Sequence, residues 1–213
     1  VFHVKHLGSV VTQDILASLA ISEASLAAIE AFAELLLRWN STVNLIARKD
    51  EPDLWDRHIA DSLQLVPLIG SPSRAIDLGS GGGFPGLVLA IATGISFDLL
   101  ESDQRKCAFL REAVRLTGAP VTVHNVRIET ARIPAAPLIT ARALAPLPSL
   151  LRLAAPLMAP GGACLFLKGS NVDAELTASA GGWQMRTERF ASRTSPSASI
   201  LRISEIEIVE FPA

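Results

Sequence analysis

The chain has 213 residues, 49% of them hydrophobic and 19% charged, with a formal net charge of −2. That apolar content supports one good core with at most a small appendage, which excludes a disordered segment and a long multidomain array. No apolar run reaches the roughly 18 residues of a membrane span, and no basic segment followed by an apolar stretch and a cleavage site opens the chain, so a cytoplasmic protein is expected.

Residues 12–66 read as helical. Hydroxyls at Thr12 and Ser22 offer N-caps, and Leu26, Ile29, Phe32, Ala33, Leu36 and Leu37 recur at spacings of three and four, which makes a broad apolar stripe. A second amphipathic run over 53–66 carries Leu54, Ile59, Leu63 and Val66. Together they predict an N-terminal helical subdomain over 1–70. At Pro67 and Gly70-Ser71-Pro72-Ser73 the punctuation changes. Strands are expected at 75–78, 96–101, 121–124, 138–141 and 163–168, with helices between most of them, and strand–helix alternation means a parallel sheet covered on both faces. Two further strands, 183–190 and 200–209, have no helical pattern between them and should pair as an antiparallel hairpin. The fold predicted for 71–213 is therefore α/β, with a seven-stranded, mostly parallel sheet. Cys107 and Cys164 lie in apolar stretches without metal-like spacing, which predicts buried small hydrophobes and no metal site. Between 101 and 152, eight basic residues stand against four acidic ones, a local basic face. Four of the eight, Arg105, Lys106, Arg111 and Arg115, follow at helical spacing and either track phosphates or solvate a helix face.

The stretch from Ala75 to Gly86 reads as a buried strand, a glycine turn and a helix beginning near Pro85. Glycines let the backbone approach a ligand, and free N–H groups in such a turn receive a polar or anionic group, so a nucleotide-like cofactor is implied. Two cofactor classes fit. Gly81, Gly83 and Gly86 satisfy the dinucleotide fingerprint, with Glu101 at the end of the next strand placed for a ribose hydroxyl. Asp77, two residues before Gly79, completes Asp-x-Gly-x-Gly-x-Gly, which resembles the first motif of the Rossmann-like methyltransferases. In that family the acidic residue lies near the methionine end of S-adenosylmethionine, and Glu101 resembles the ribose-binding acid of the second motif. An alternative for Asp77 is that it fixes the turn by accepting backbone N–H bonds.

A narrower resemblance rests on an ordered set of residues: Leu36-Leu37-Arg38-Trp39-Asn40 with Asn44-Leu45, His58-Ile59-Ala60-Asp61-Ser62, Gly79 to Gly86 with its Phe84-Pro85-Gly86, Thr140-Ala141-Arg142-Ala143, and Leu167-Lys168-Gly169. It is similar to the bacterial small-subunit ribosomal RNA guanine-N7 methyltransferases, also called the glucose-inhibited division protein B family. The resemblance implies a monomeric class I methyltransferase with an N-terminal helical extension, acting on N7 of guanine 527 in the 530 loop of 16S rRNA within the small subunit or an assembly intermediate. Donor contacts implied by it fall on Gly79, Phe84, Ile128, Glu129 and Arg142. Glu101-Ser102 stands where the family pattern leads one to expect Asp-Ser, and residues 1–11 carry no family wording.

Guanine N7 bears an in-plane lone pair and no proton, so no catalytic base is expected and the chemistry rests on alignment and local field. The Asn/Asp-Pro-Pro-aromatic motif of exocyclic-amine methyltransferases is missing after the fourth strand. Arg142, at the carboxyl end of that strand, is placed for the donor carboxylate or an RNA phosphate, and Lys168 for a phosphate or base. His58 and Asp61, three apart on a helix, could touch, and read as a capping or helix-packing pair in preference to an RNA contact, and Trp39 reads as core in preference to a stacking platform. The competing readings are a small-molecule methyltransferase, an NAD-dependent Rossmann enzyme, and a binding module without turnover.

Overall fold

The computed structural model describes residues 8–209; residues 1–7, the larger part of the 1–11 segment, lie outside that range. Helices α1 (Val10–Ser18) and α2 (Glu23–Asn40) open the fold. Ser22 caps α2 by accepting from the Ser25 amide at 3.0 Å. The long helix ends at Asn40, and the second helical run begins only after residue 53. Asn40 is buried, and its side-chain oxygen accepts from the Leu45 and Ile46 amides at 2.9 and 3.0 Å, so a side chain takes the place of the helical ladder and turns the chain. After a 3₁₀ turn (Arg48–Asp50), the chain passes through a π-helical turn (Trp55–Ile59) into α3 (Ala60–Leu63) and α4 (Val66–Ile69).

From there strands and helices alternate: β1 (Arg74–Leu78), α5 (Gly86–Thr93), β2 (Ser96–Glu101), α6 (Gln104–Thr117), β3 (Val121–Asn125), β4 (Ala136–Arg142), α7 (Leu147–Ala154), β5 (Met158–Lys168), α8 (Val172–Ala180), β6 (Trp183–Ala191) and β7 (Ser199–Ile208). The seven strands form one sheet in the order β3-β2-β1-β4-β5-β7-β6. The first five are parallel, and β7 inserts antiparallel between β5 and β6. This is the class I methyltransferase arrangement, with the antiparallel end expected from the sequence. Strands β4 and β5 begin earlier than their apolar runs, because Met158 pairs with Ala136 before the register shifts through the Pro160-Gly161-Gly162 stretch.

Each face of the sheet carries its own core. On one side α5 and α6 pack with α2, α3 and α4, so that Phe32, Leu36, Leu63, Leu87 and Phe109 share one buried cluster. On the other side α7 and α8 cover Ile76, Ile139, Phe166 and Leu201. Cys107 and Cys164 are buried, one in α6 and one in β5. Among the described residues no helix is long and apolar enough to cross a membrane. The carboxyl ends of the parallel strands bring Leu78, Glu101, Arg142 and Lys168 to one edge, where ligands bind in open parallel sheets.

Candidate functional site

The glycine turn after β1 is held by its own amides. Ser80 N–H donates to the Leu100 carbonyl, Gly83 and Phe84 N–H to the Ser80 carbonyl, and Gly81 N–H to Glu101 Oε2 at 2.9 Å. The free donors that the sequence suggested are therefore spent at these four positions, and the turn is poorly suited to a pyrophosphate. Backbone shape explains the glycines. Gly79 sits at φ +64°, where a Cβ would lie 2.6 Å from Leu144 Cδ1, and a Cβ on Gly86 would strike Asp77 Cβ at 2.5 Å.

Asp77 lies beneath this turn, fully buried. Its Oδ1 accepts from Thr140 Oγ1 at 2.7 Å, while Oδ2 has no hydrogen-bond partner. Burial pushes its carboxyl up to about 6, against the lowering effects of Thr140, Ser80, the Gly86 amide and the charge of Arg142. Asp77 thus ties β1 to β4 through Thr140, and it places an incompletely compensated acid under the ligand-binding edge.

Above the turn is a cavity of about 370 Å³, within the range of small-molecule sites. Gly79, Gly81, Glu101, Ile128 and Glu129 line it, together with Arg142 and Leu144. The structure thus brings together most of the expected donor residues. Glu101 is anchored there, accepting from the amides of Gly81 and Asp103. Gly83 and Phe84 stand outside the lining. A Cβ on Gly83 would meet Leu87 and Phe32 at 3.2–3.3 Å. Phe84 is buried, edge-on to Phe32, 5.0 Å from the His58 ring, with the Arg142 guanidinium 5.1 Å from its centroid.

Arg142 joins the two parts of the chain. Nη1 donates to the Arg57 carbonyl at 2.9 Å and to Asp61 Oδ2 at 3.3 Å, and Nη2 donates to His58 Nδ1 at 2.5 Å. The π-helical turn offers this carbonyl and His58 from adjacent residues, a local irregularity of a kind frequent at functional sites. His58 and Asp61 therefore do not form the mutual pair suggested by their spacing; both face an arginine more than 80 residues away. Burial, followed by the Arg142 charge, lowers the His58 imidazole to about 4, so it is neutral near pH 7 and its Nδ1 can accept.

Beyond Arg142, the chain enters the left-handed region at Ala143, φ +51°. An alanine there costs about 1–2 kcal/mol relative to ordinary backbone. The kink sends Arg142 to one side and Leu144 toward Gly79. Arg142, Ala143 and Leu144 line both the donor-side cavity and a larger groove of about 720 Å³. The groove runs between Asp50, Arg57 and His58 on one wall and Thr194, Ser195 and Pro196, from the β6–β7 loop, on the other.

Lys168 borders this groove, but it is neither solvated nor free for a phosphate. Its side chain is 8% exposed, with Nζ 2.5 Å from Glu175 Oε2 and donating to the Ala145 carbonyl at 3.0 Å. Glu175 also accepts from the Leu147 amide. Lys168 fixes the loop that follows Arg142, because the chain returns above β5 close enough to occupy the amine. Of the basic run on α6, Lys106 reaches the donor-side cavity, whereas Arg115 pairs with Glu112 on the surface. Trp39 is half-buried against Phe109, 5.9 Å between centroids, and packs on the core as expected. Sequence reasoning missed Asp50, Leu144 and Thr194; each enters through loop geometry, and no spacing signals it.

The family pattern described as rRNA small subunit methyltransferase G matches residues 25–199. The chain is 60% identical over 182 residues to the ribosomal RNA small subunit methyltransferase G of Acidiphilium cryptum, covering 84% of each protein. It is 54% identical to the protein of that name from Gluconobacter oxydans, covering 85% of this chain and 94% of the relative. Among solved structures, the O-methyltransferase of Bacillus cereus in complex with SAH superposes with a TM-score of 0.58 at 14% identity, over 92% of this chain and 98% of that one, a likeness of fold.

Proposed function

The chain belongs to the rRNA small subunit methyltransferase G family, and from that membership we propose that it methylates N7 of guanine 527, in the 530 loop of 16S rRNA, with S-adenosylmethionine as donor. It is a methyltransferase of small-subunit rRNA; the atom and the position are our reading.

S-adenosylmethionine, when bound, supplies an electrophilic methyl group on a positively charged sulfur. The cavity fits such a molecule. Gly79 and Gly81 open it toward the backbone, Glu101 is placed for ribose hydroxyls, Ile128 and Glu129 for the adenine, and Arg142 for the carboxylate. The lining carries charges of both signs, Glu101 and Glu129 beside Lys106, Arg127 and Arg142, which suits a zwitterionic donor with a sulfonium and a carboxylate. The engaged amides of the glycine turn disfavour a dinucleotide, since they offer no cradle for its phosphates.

One observation carries the N7 assignment: every carboxylate lining the groove is paired, and the one imidazole lone pair there is turned to Arg142. Asp50 pairs with Arg57 at 3.2 Å, Asp61 holds Arg142 and Thr194, Glu175 holds Lys168, and the His58 Nδ1 lone pair faces Arg142. A hydroxyl or amine acceptor needs a base to take its proton, whereas N7 attacks with a free lone pair. The residues of this chain then act by alignment: the groove holds the base, and the Arg142–Leu144 wall determines where it meets the donor.

The test is transfer of labelled methyl from S-adenosylmethionine to small ribosomal subunits that lack the modification, with mapping of the product. Label on N7 of guanine 527 supports the proposal; label on another atom or nucleotide refutes it. The same assay on protein-free 16S rRNA identifies whether the assembled subunit is required.

A further inference from the structure

Arg142 is part of the sheet, yet every acceptor that bonds it among the described residues comes from the helical extension: the Arg57 carbonyl, Asp61 Oδ2 and His58 Nδ1. A guanidinium has five N–H donors in a rigid fork. Two of these bonds use Nη1 and one uses Nη2, which leaves Nε–H and the second Nη2–H, the side-on pair that matches a carboxylate, a phosphate or a purine edge. Arg142 lines both cavities, and these two N–H groups make no hydrogen bond among the described residues.

The three acceptors are not equivalent. The Arg57 carbonyl and Asp61 both act on Nη1, and a guanidinium held only there can swing about that nitrogen. The His58 bond alone fixes Nη2. For that bond His58 must be neutral with its proton on Nε2. Burial keeps the ring neutral, and because Nδ1 accepts from Arg142 the proton lies on Nε2, which has no hydrogen-bond partner among the described residues and lies 3.9 Å from Asp50 Oδ2. The ring packs against Phe84, tilted by 38° at 5.0 Å between centroids, and the same phenyl ring underlies Arg142.

We propose that His58 is a positioning residue for methyl transfer: its Nδ1 lone pair locks the rotation of Arg142 and thereby presents the side-on N–H pair to the reacting molecules. The proposal rests on the methyl-transfer reading of this site. It differs from a packing role because it depends on an acceptor atom, whereas packing depends on ring shape.

Two variants separate these roles. His58→Asn keeps an acceptor oxygen near the Nδ1 position, and His58→Phe keeps the ring on Phe84 and removes the acceptor. With small subunits as substrate, the Phe variant is expected to lose roughly ten- to a hundredfold in kcat/KM, the range for losing a hydrogen bond to a charged group, and the Asn variant to stay within about threefold of wild type. Equal activities in the two variants, whether both retained or both lost, overturn the proposal. If the Phe variant melts at lower temperature, the Arg142 Nε–H NMR signal is compared where both variants are folded. A sharp signal in the Asn variant and a broadened one in the Phe variant support the lock, and identical signals overturn it. A wild type that labels no RNA overturns the reaction itself and this role with it; a wild type that labels RNA while the variants behave alike overturns only the role of His58.

Discussion

Asp77 and His58 titrate in opposite senses. Burial raises the Asp77 pKa from 3.8 to about 6, so between pH 4 and 6 the folded chain binds more protons there than the unfolded chain, and stability from this group is lost as pH rises. Burial and Arg142 lower the His58 pKa from 6.5 to about 4, so its stability is lost as pH falls through the same window. The two nearly cancel in the intact protein, and single substitutions should uncover each. Relative to wild type, Asp77→Asn should shift by about 3 kcal/mol in the variant's favour between pH 4 and 7, and His58→Asn should shift by a similar amount in the reverse direction. Urea unfolding across that range measures both; parallel pH profiles for the variants and wild type would refute the assignment. Arg142→Ala removes the partner of both Asp61 and His58, and should reduce methyl transfer at least tenfold while lowering the melting temperature. At this scale the sequence indicates Gly79, Glu101 and Arg142 as site residues because their positions follow from strand ends. It does not foresee the partners of His58 and Lys168, because Arg142 at the end of β4 and Glu175 on α8 meet them through tertiary packing that local spacing does not encode.

Elements are easier to read than contacts, since their signals are local. All seven strands overlap the expected runs, and β1, β4 and β5, at the centre of the sheet, do so because burial on both faces demands continuous hydrophobic stretches. The break between the two helical runs is organised by the side chain of Asn40, whose amide bonds Glu51 at 2.6 Å while its oxygen takes two backbone amides. Another borrowed cap starts α1. Ser9 makes no cap with its own side chain; its amide donates to Asp56 Oδ1 at 2.8 Å, and Thr12 Oγ1 bonds the same oxygen. Asp56→Ala should therefore loosen α1 by about 1 kcal/mol, the worth of a cap, and hydrogen exchange should show faster α1 amides with α2 unchanged. On the other face, Glu175 joins the start of α7 to Lys168. Glu175→Ala leaves that ammonium without its partner and should cost about 3 kcal/mol in chemical denaturation.

At the scale of the whole molecule, the groove closes through contacts between distant parts of the chain. Gln64 bonds Ser192, Thr194 and the Arg193 amide, 128 to 130 residues away, and Thr194 Oγ1 donates to Asp61 at 2.7 Å. None of these residues lines the donor-side cavity. Gln64→Ala should accordingly impair methylation of the small subunit and leave S-adenosylhomocysteine affinity unchanged, as calorimetry would show; a parallel loss of both would mean that the two cavities are mechanically one. The same long ties order events in time. A ribosome delivers the glycine turn and β4 well before residues 192–198 emerge, and contacts of such separation form late because their loop closure is costly. The groove is thus expected to be the last part of this protein to take shape, completed only when the β6–β7 loop docks on Gln64 and Asp61.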